Sequence, residues 1–155
     1  MSIDQRIFTK KEKIQEAFRR TAYVLYSHWR ISNKEEKEKL ECGGHSRLFE
    51  VLIADSYVIK GKSLNGGTYR EHIVPCVMIR DRAYLMFNNG YTIEDVADMI
   101  EKNLIIILLT KQEREKIDNE LKLKTKMPDG WQFGDDPYAR LKMANIEVEL
   151  FSNHI

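Results

Sequence analysis

Apolar side chains recur at three- and four-residue steps along the N-terminal part of the chain, which is the spacing of one buried face of a helix. The stripe consists of Ile14, Ala17, Phe18, Thr21, Leu25 and Trp29. Thr9 and Glu12 have the spacing of a capping box, so the pattern predicts a helix from near Lys10 to about Arg30. Ser32 and Glu35 repeat this spacing and predict a short charged helix that ends at Gly43–Gly44.

The central part of the chain alternates between short apolar runs and turn signals. Residues 47–59 are apolar and ambiguous, and we favour a helix over residues 48–54 followed by a strand over residues 57–59. Asn65-Gly66-Gly67 is a strong turn signal. The β-forming residues 68–74 that follow predict a strand ended by Pro75, and residues 77–88 predict a helix ended by Gly90.

The C-terminal part predicts further short elements. Thr92 caps a predicted helix that reaches about Lys102, and residues 104–109 predict a buried strand. Thr110 and Glu113 form a capping box that opens a charged helix to about Leu121. Residues 127–130 predict a turn, residues 137–144 a short helix, and residues 146–151 a last strand or tail. This order of elements indicates a mixed α+β protein with a small sheet.

The composition narrows the class of protein. The chain has 155 residues, of which 43% are hydrophobic, and this favours a single domain with its own core. Lys and Arg total 25 against 24 for Asp and Glu, so any contact with nucleic acid requires a local basic patch. The N-terminus lacks a signal-peptide core, and the apolar run over residues 104–109 is too short to span a bilayer. We therefore expect a cytoplasmic protein with no membrane partner.

The two cysteines, Cys42 and Cys76, exclude a disulfide framework and a four-cysteine zinc site. Cys42 and His45 have a Cys-x-x-His spacing that starts some zinc sites, but no second pair completes it. The two glycines between them favour a plain loop.

The pair Glu71-His72 is the most informative chemical feature of the sequence. A carboxylate beside an imidazole can hold a metal ion and take a proton from water. Neighbouring residues on a strand point to opposite faces, so both reach one site only if the backbone twists or bulges there. Gly66-Gly67 before the strand and Pro75 after it favour such a break.

The stretch Glu71-His72-Ile73-Val74-Pro75 resembles the first half of the HNH, or ββα-metal, nuclease motif. In that family an Asp/Glu-His pair ends the first strand, an Asn lies before or on the second strand, and a His or Asn lies on the following helix. Here Asn103 precedes the second strand, and a helix follows at once. The resemblance implies an HNH-like core over residues 66–121, with two helices inserted between the strands. An N-terminal helical region, residues 1–62, and a C-terminal extension with a short helix, residues 127–155, surround that core.

The resemblance also implies a role for each matching residue. His72 would be the general base that activates water against a phosphodiester, and Glu71 would be a ligand of Mg²⁺ or Mn²⁺. Gln112 or Glu113 would occupy the helix position of the last His or Asn, which neither residue type matches. Asn103 would brace the loop between the strands, although it suits the C-terminal end of a helix equally well. Glu113 has a second explanation as the capping residue of its helix.

The resemblance further implies a nucleic-acid partner, with DNA as the expected substrate of a metal-dependent endonuclease. Basic residues near the motif and near its helix are expected to contact phosphates: Arg70, Arg80, Arg82, Lys111, Lys122, Lys124 and Lys126. The alternative is a catalytically inactive HNH-like fold that binds nucleic acid or another protein as an inhibitor or regulator. The aromatic side chains Tyr23, Tyr26 and Trp29 on the first helix offer a surface for a protein partner or a homo-oligomer. The small size is typical of phage or mobile-element members of the family.

Overall fold

The computed structural model describes residues 6–152 of the chain. Its elements, in chain order, are α1 (Lys10–Ile31), α2 (Lys34–Glu38), α3 (Leu48–Leu52), α4 (Asp55–Val58), β1 (Ile59–Ser63), β2 (Tyr69–His72), α5 (Cys76–Asn88), α6 (Ile93–Asn103), β3 (Ile106–Leu109), α7 (Lys111–Glu115), α8 (Ala139–Met143) and β4 (Val148–Leu150). A π-helical turn, Lys116–Glu120, continues α7. The predicted mixed α+β class is confirmed. Within residues 6–152, no helix is both long and apolar enough to cross a membrane.

The strands form one sheet in the spatial order β2-β3-β1-β4. β3 lies inside the sheet, antiparallel to β2 and parallel to β1, while β4 pairs antiparallel with β1. The sequence of β3, Ile-Ile-Leu-Leu, is apolar throughout, which suits an interior strand that is covered on both faces. β2 lies at one edge of the sheet, which leaves its outer side to helices and loops.

The sheet joins segments from the whole described chain. β1 follows the N-terminal helices, and β4 comes from the predicted C-terminal extension. Between β2 and β3 the chain forms α5 and α6, as the sequence predicts. The short tight turn before β2 depends on Gly67, which has φ +100°, and a Cβ there would lie 2.2 Å from the Leu109 carbonyl oxygen. The predicted turn therefore holds β2 against the end of β3.

Helix α1 forms as its apolar stripe predicts. Thr9 Oγ1 accepts a hydrogen bond from the backbone N–H of Glu12, and Glu12 accepts one from the backbone N–H of Thr9, which completes the capping box. The buried part of the stripe is Ile14, Ala17, Phe18, Thr21 and Leu25. Apart from Thr21, whose hydroxyl donates to the Ala17 carbonyl, these side chains belong to one hydrophobic cluster with buried residues of α5, α6 and β3. Packing of this amphipathic face supplies most of the stability of such a helix.

The segment between α2 and β2 differs from the prediction. The expected strand over residues 57–59 is wrong, because α4 covers Asp55–Val58 and the strand β1 begins only at Ile59. Gly61, Lys60 and Lys62 are poor β-formers, so nothing local marks this strand. Its pairing with both β3 and β4 overrides that propensity.

The second helix also differs from the prediction. Its N-cap is Asn33, with Glu36 completing the capping box, one residue later than expected. It ends at Glu38 rather than at Gly43–Gly44. Leu40 takes a left-handed backbone conformation, φ 58°, which stops the helix.

Candidate functional site

A cleft of about 320 Å³ opens beside the edge strand β2. Its walls come from β2, α3, the start of α5, the π-helical turn and the loop that follows it. Its charged and titratable lining consists of the cations Arg47, Arg70, Lys124 and Arg140, the acids Glu50, Glu71 and Asp118, and the side chains of Tyr69, His72 and Cys76. Segments that are far apart in sequence therefore gather acids, bases and a histidine at one place.

Strand β2 brings Glu71 and His72 to this cleft without a bulge. Its register with β3 is regular from Tyr69 to His72, so the expected backbone break at the pair is wrong. The two side chains do point to opposite faces, as a regular strand requires. Arg70 and His72 approach Glu50 on one side. All four residues of β2, an edge strand of the sheet, nevertheless contribute to the lining of the cleft.

The imidazole of His72 is largely buried and lies near one acid. Its Nε2 atom is 3.8 Å from Oε1 of Glu50, which is beyond hydrogen-bond distance. Burial lowers the pKa of His72 below its ordinary value, although the nearby Glu50 carboxylate opposes this effect. The imidazole is therefore neutral at neutral pH and able to accept a proton.

A buried arginine fixes the backbone at the motif. Arg140 is 1% exposed, and its Nε donates to the Ile73 carbonyl at 3.1 Å while Nη1 donates to the Leu123 carbonyl at 2.6 Å. Its Nη2 donates to the carbonyl of His72 and lies 3.2 Å from Oε1 of Glu71. This guanidinium thus ties the end of β2 to the loop after the π-helical turn, and it neutralises the buried carboxylate.

Burial outweighs this ion pair in the protonation of Glu71. Desolvation raises the pKa of Glu71 to about 7, although the Arg140 charge acts in the opposite direction. The neighbouring Asp118 raises the same pKa further, because two carboxylates repel each other. Burial also lowers the pKa of Arg140, but an arginine stays charged at neutral pH. Glu71 therefore exchanges its proton near physiological pH.

Asp118 is a cleft residue that the sequence analysis did not identify. It lies on the π-helical turn, and its Oδ2 is 3.4 Å from Nε of Arg114. Such turns shift the phase of a helix by about one residue and are frequent at functional sites. In the sequence, the Arg114–Asp118 spacing is that of an ordinary surface ion pair, so no local signal marked the acid.

Glu50 and Arg140 were also missed. Glu50 lies in the ambiguous stretch of residues 47–59, and only the folded chain brings α3 against β2. Arg140 precedes Leu141 and stands one helical turn before Ala144, both of which are buried. That spacing was a usable signal, because a charged residue on a buried face requires a specific partner.

Gln112 and Glu113, the expected third metal ligand, lie outside the cleft lining. Glu113 Oε1 accepts from the backbone N–H of Thr110 at 2.9 Å, while Oε2 accepts from Ser63 Oγ at 2.7 Å and from Asn65. Burial acts to raise the pKa of Glu113, but these hydrogen bonds lower it overall. Its capping role is confirmed, and it joins α7 to the turn before β2.

We expect Glu113→Gln to lower the free energy of unfolding by about 1 kcal/mol, because the amide reproduces only part of the charge-assisted capping. The metal requirement of any activity should be unchanged, since Glu113 does not line the cleft. Urea unfolding, compared with the exposed neighbour variant Glu115→Gln, measures the loss. A changed metal requirement in Glu113→Gln would contradict the capping assignment.

Asn103 does not brace the loop between the strands. Its side-chain Nδ2 donates to the Met99 carbonyl at 2.8 Å, within α6 itself. It also lacks the left-handed conformation of a C-terminal cap, which among non-glycine residues 6–152 occurs only at Leu40, Lys122 and Asn145. Arg140, from another part of the chain, contacts the backbone at His72 instead.

The basic residues expected to contact nucleic acid are dispersed. Arg70 and Lys124 line the cleft, whereas Arg80 donates to Asp81 and to the Gly44 carbonyl. Arg82 lies over the Phe133 ring, with its guanidinium carbon 5.4 Å from the ring centroid. The remaining members of the set, Lys111, Lys122 and Lys126, are exposed and lie outside the cleft lining.

The environment of the cleft cysteine favours its thiol form. Burial raises the pKa of the Cys76 thiol to about 12, so it is protonated at neutral pH and unreactive. The Cys42–His45 segment forms a loop, as expected, in which the His45 ring accepts a hydrogen bond from the Arg47 backbone N–H at 3.1 Å. Both cysteines are free thiols.

Glu71 and Asp118 have the donor chemistry of a Mg²⁺ or Mn²⁺ site. Mg²⁺ commonly uses one or two protein carboxylates and completes its shell with water and substrate oxygens. Both carboxyl groups line the cleft, and the charge of Asp118 raises the pKa of Glu71. Across residues 6–152, no group of three or more His, Cys, Asp or Glu side chains is arranged to hold a metal ion.

No protein-family model, curated protein or solved structure matches this chain. What the protein does is therefore inferred from the chemistry of the cleft.

Proposed function

We propose that this protein is a metal-dependent endonuclease that hydrolyses phosphodiester bonds of DNA. The observation that supports this most directly is one open cleft holding Glu71 and His72, from the end of β2, together with Asp118, from the helical segment after β3. β2, β3 and α7 occur along the chain in the order expected for an HNH-like ββα core, with α5 and α6 inserted between the two strands. In this proposal Asp118 takes the role that the sequence assigned to Gln112 or Glu113.

His72 is the general base of the proposed reaction. Its neutral imidazole takes a proton from the water that attacks phosphorus, and general-base catalysis of this kind contributes at least about 100-fold to the rate. Arg140 acts as a positioning residue, because it holds the carbonyl of His72 and the adjacent strand end. The Glu50 carboxylate, 3.8 Å from Nε2, stabilises the imidazolium that forms.

Glu71 and Asp118 would hold the divalent ion. When bound, such an ion stabilises negative charge on the phosphate and on the leaving oxygen. Glu71 must lose its proton to act as a ligand, so metal binding releases a proton at neutral pH.

Nicking of supercoiled plasmid tests this function. We expect cleavage with Mg²⁺ or Mn²⁺, none with EDTA, and at least a 100-fold lower rate in His72→Ala. Asp118→Asn should raise the metal concentration needed for half-maximal rate. His28→Gln, a histidine variant on α1 outside the cleft, is the matched control and should cleave like wild type. Absence of cleavage by folded wild-type protein with either metal would overturn the proposal.

A second candidate is an inactive HNH-like fold that acts by binding. The contact that favours it is the ion pair between Arg140 and Glu71 at 3.2 Å, which places a cation beside the proposed metal ligand. The same nicking assay separates the two, because an inactive fold bound to DNA gives a mobility shift without nicked product. Cleavage that is lost in His72→Ala excludes this candidate.

A further inference from the structure

The cations of the cleft differ in whether an acid already neutralises them. Arg70 donates to Asp55 at 2.6 Å and lies 3.6 Å from Glu50, so its charge is used within the protein. Arg140 is paired with Glu71 and buried. These two guanidinium groups join segments of the cleft wall through their acidic partners, so they are not available to a ligand.

The charges of two other cleft cations, Arg47 and Lys124, are not neutralised by an acid among the residues that the structure describes. Arg47 lies just before α3, and Lys124 lies in the loop after the π-helical turn, yet both line the cleft that holds His72. Within residues 6–152, neither side chain makes an ion pair, a hydrogen bond or a cation–π contact, and both residues are exposed. Two unneutralised cations beside a general base form a site for an anion that bridges two segments of the chain.

The form and surroundings of the cleft narrow the choice of anion. A volume of about 320 Å³ is at the small end of ligand sites and takes a single nucleotide unit rather than a duplex. Tyr69 lines the same cleft, is 40% exposed, and has the Arg114 guanidinium 4.5 Å from its ring centroid. An exposed aromatic ring beside a cationic groove is the arrangement that binds single strands by stacking.

We infer that the substrate is a single DNA strand, with one phosphate held by Arg47 and Lys124 beside His72 and an adjacent base stacked on Tyr69. This inference rests on the proposed nuclease function but concerns binding, which does not require cleavage. Duplex DNA would become a substrate only where a strand is unpaired, as at a nick, flap or junction or in the locally melted regions of a negatively supercoiled plasmid.

Fluorescence anisotropy of a labelled oligonucleotide, with wild-type protein in EDTA to prevent cleavage, tests the inference. We expect a single strand to bind more tightly than the duplex of the same length. Arg47→Ala and Lys124→Ala should each reduce the slope of log K against log salt by about 0.7, the contribution of one phosphate contact on a single strand. Tyr69→Leu should weaken binding roughly 5- to 150-fold with an unchanged slope.

Arg30→Ala and Lys13→Ala are the matched controls, since both are exposed cations on α1 outside the cleft, and neither should change the slope. Unchanged slopes in Arg47→Ala and Lys124→Ala, or duplex binding as tight as single-strand binding, would overturn the inference while leaving metal-dependent nicking intact. Reduced slopes without nicking would support the binding site and remove the proposed catalysis.

Discussion

Arg140→Met is expected to lower the free energy of unfolding by about 3–5 kcal/mol, which is the usual cost of removing one partner of a buried ion pair. The variant leaves the Glu71 carboxylate without its cation, and it removes the donor from the buried carbonyls of His72, Ile73 and Leu123. Methionine fills similar volume, so the loss reports the polar contacts rather than a cavity. Urea or guanidinium unfolding followed by circular dichroism measures it.

Lys142→Met is the control on the same helix. Its ammonium contacts Asp136 at an exposed site, and such a pair contributes at most about 1 kcal/mol. If Arg140→Met does not fold, Arg140→Lys keeps the charge but not the planar set of donors, and it should show an intermediate loss. Equal stability of Arg140→Met and Lys142→Met would show that Arg140 does not hold the strand end.

The elements that the sequence predicts well are those specified locally. Helix α1 is predicted from the helical period of its apolar stripe, and its first residue is predicted from the capping box formed by Thr9 and Glu12. The same holds for Thr110 with Glu113, whose capping box is confirmed. Capping contacts reach only three residues along the chain, so their signal lies within a short window, although at α2 the box formed at Asn33 rather than at the predicted Ser32.

The parts that the sequence did not reveal depend on tertiary contacts. β1 consists of poor β-formers and exists because β3 and β4 lie on either side of it. The same limitation applies to the site: Glu71 and His72 were found from their adjacency, whereas Asp118 and Arg140 come from later segments. Asp118, a carboxylate on a charged helix, has no local sign of burial, whereas the apolar neighbours of Arg140 indicate that it is buried but not which segments it contacts.

Long-range contacts also explain why the acids of the cleft differ from the predicted ones. Both carboxylate oxygens of Glu113 accept hydrogen bonds outside the cleft, one from the nearby Thr110 backbone and one from Ser63, fifty positions earlier in the chain. The environment of Glu71 cannot be inferred from its neighbours in sequence, because its ion-pair partner, Arg140, lies almost seventy positions later in the chain and is itself buried. The energy of such a pair is set by desolvation as much as by charge. Its protonation is therefore the most direct property of the cleft to measure.

The stability of the protein is expected to depend on the protonation of Glu71. Its pKa is raised from 4.5 to about 7 on folding, so the folded state binds a proton that the unfolded state has lost between about pH 4.5 and 7. Stability due to this group therefore falls as pH rises through that window and is constant above it. Because folding lowers the pKa of His72, the stability due to His72 rises with pH below about pH 6.5, opposite to the effect of Glu71. The pH dependence of wild-type stability alone therefore does not isolate Glu71.

The difference between Glu71→Gln and wild type isolates this carboxyl group. Glutamine stays neutral, so the variant should gain up to about 3 kcal/mol relative to wild type between pH 4.5 and pH 8, the free energy that corresponds to the pKa shift. Urea unfolding of both proteins at half-unit pH steps gives this difference. Glu113→Gln is the control. Because folding lowers the pKa of Glu113, this group changes the pH dependence of stability only below pH 4.5. The difference in unfolding free energy between Glu113→Gln and wild type should therefore be constant between pH 4.5 and pH 8. A flat difference for Glu71→Gln as well would mean that Glu71 is ionised throughout, held by Arg140 as an ordinary ion pair.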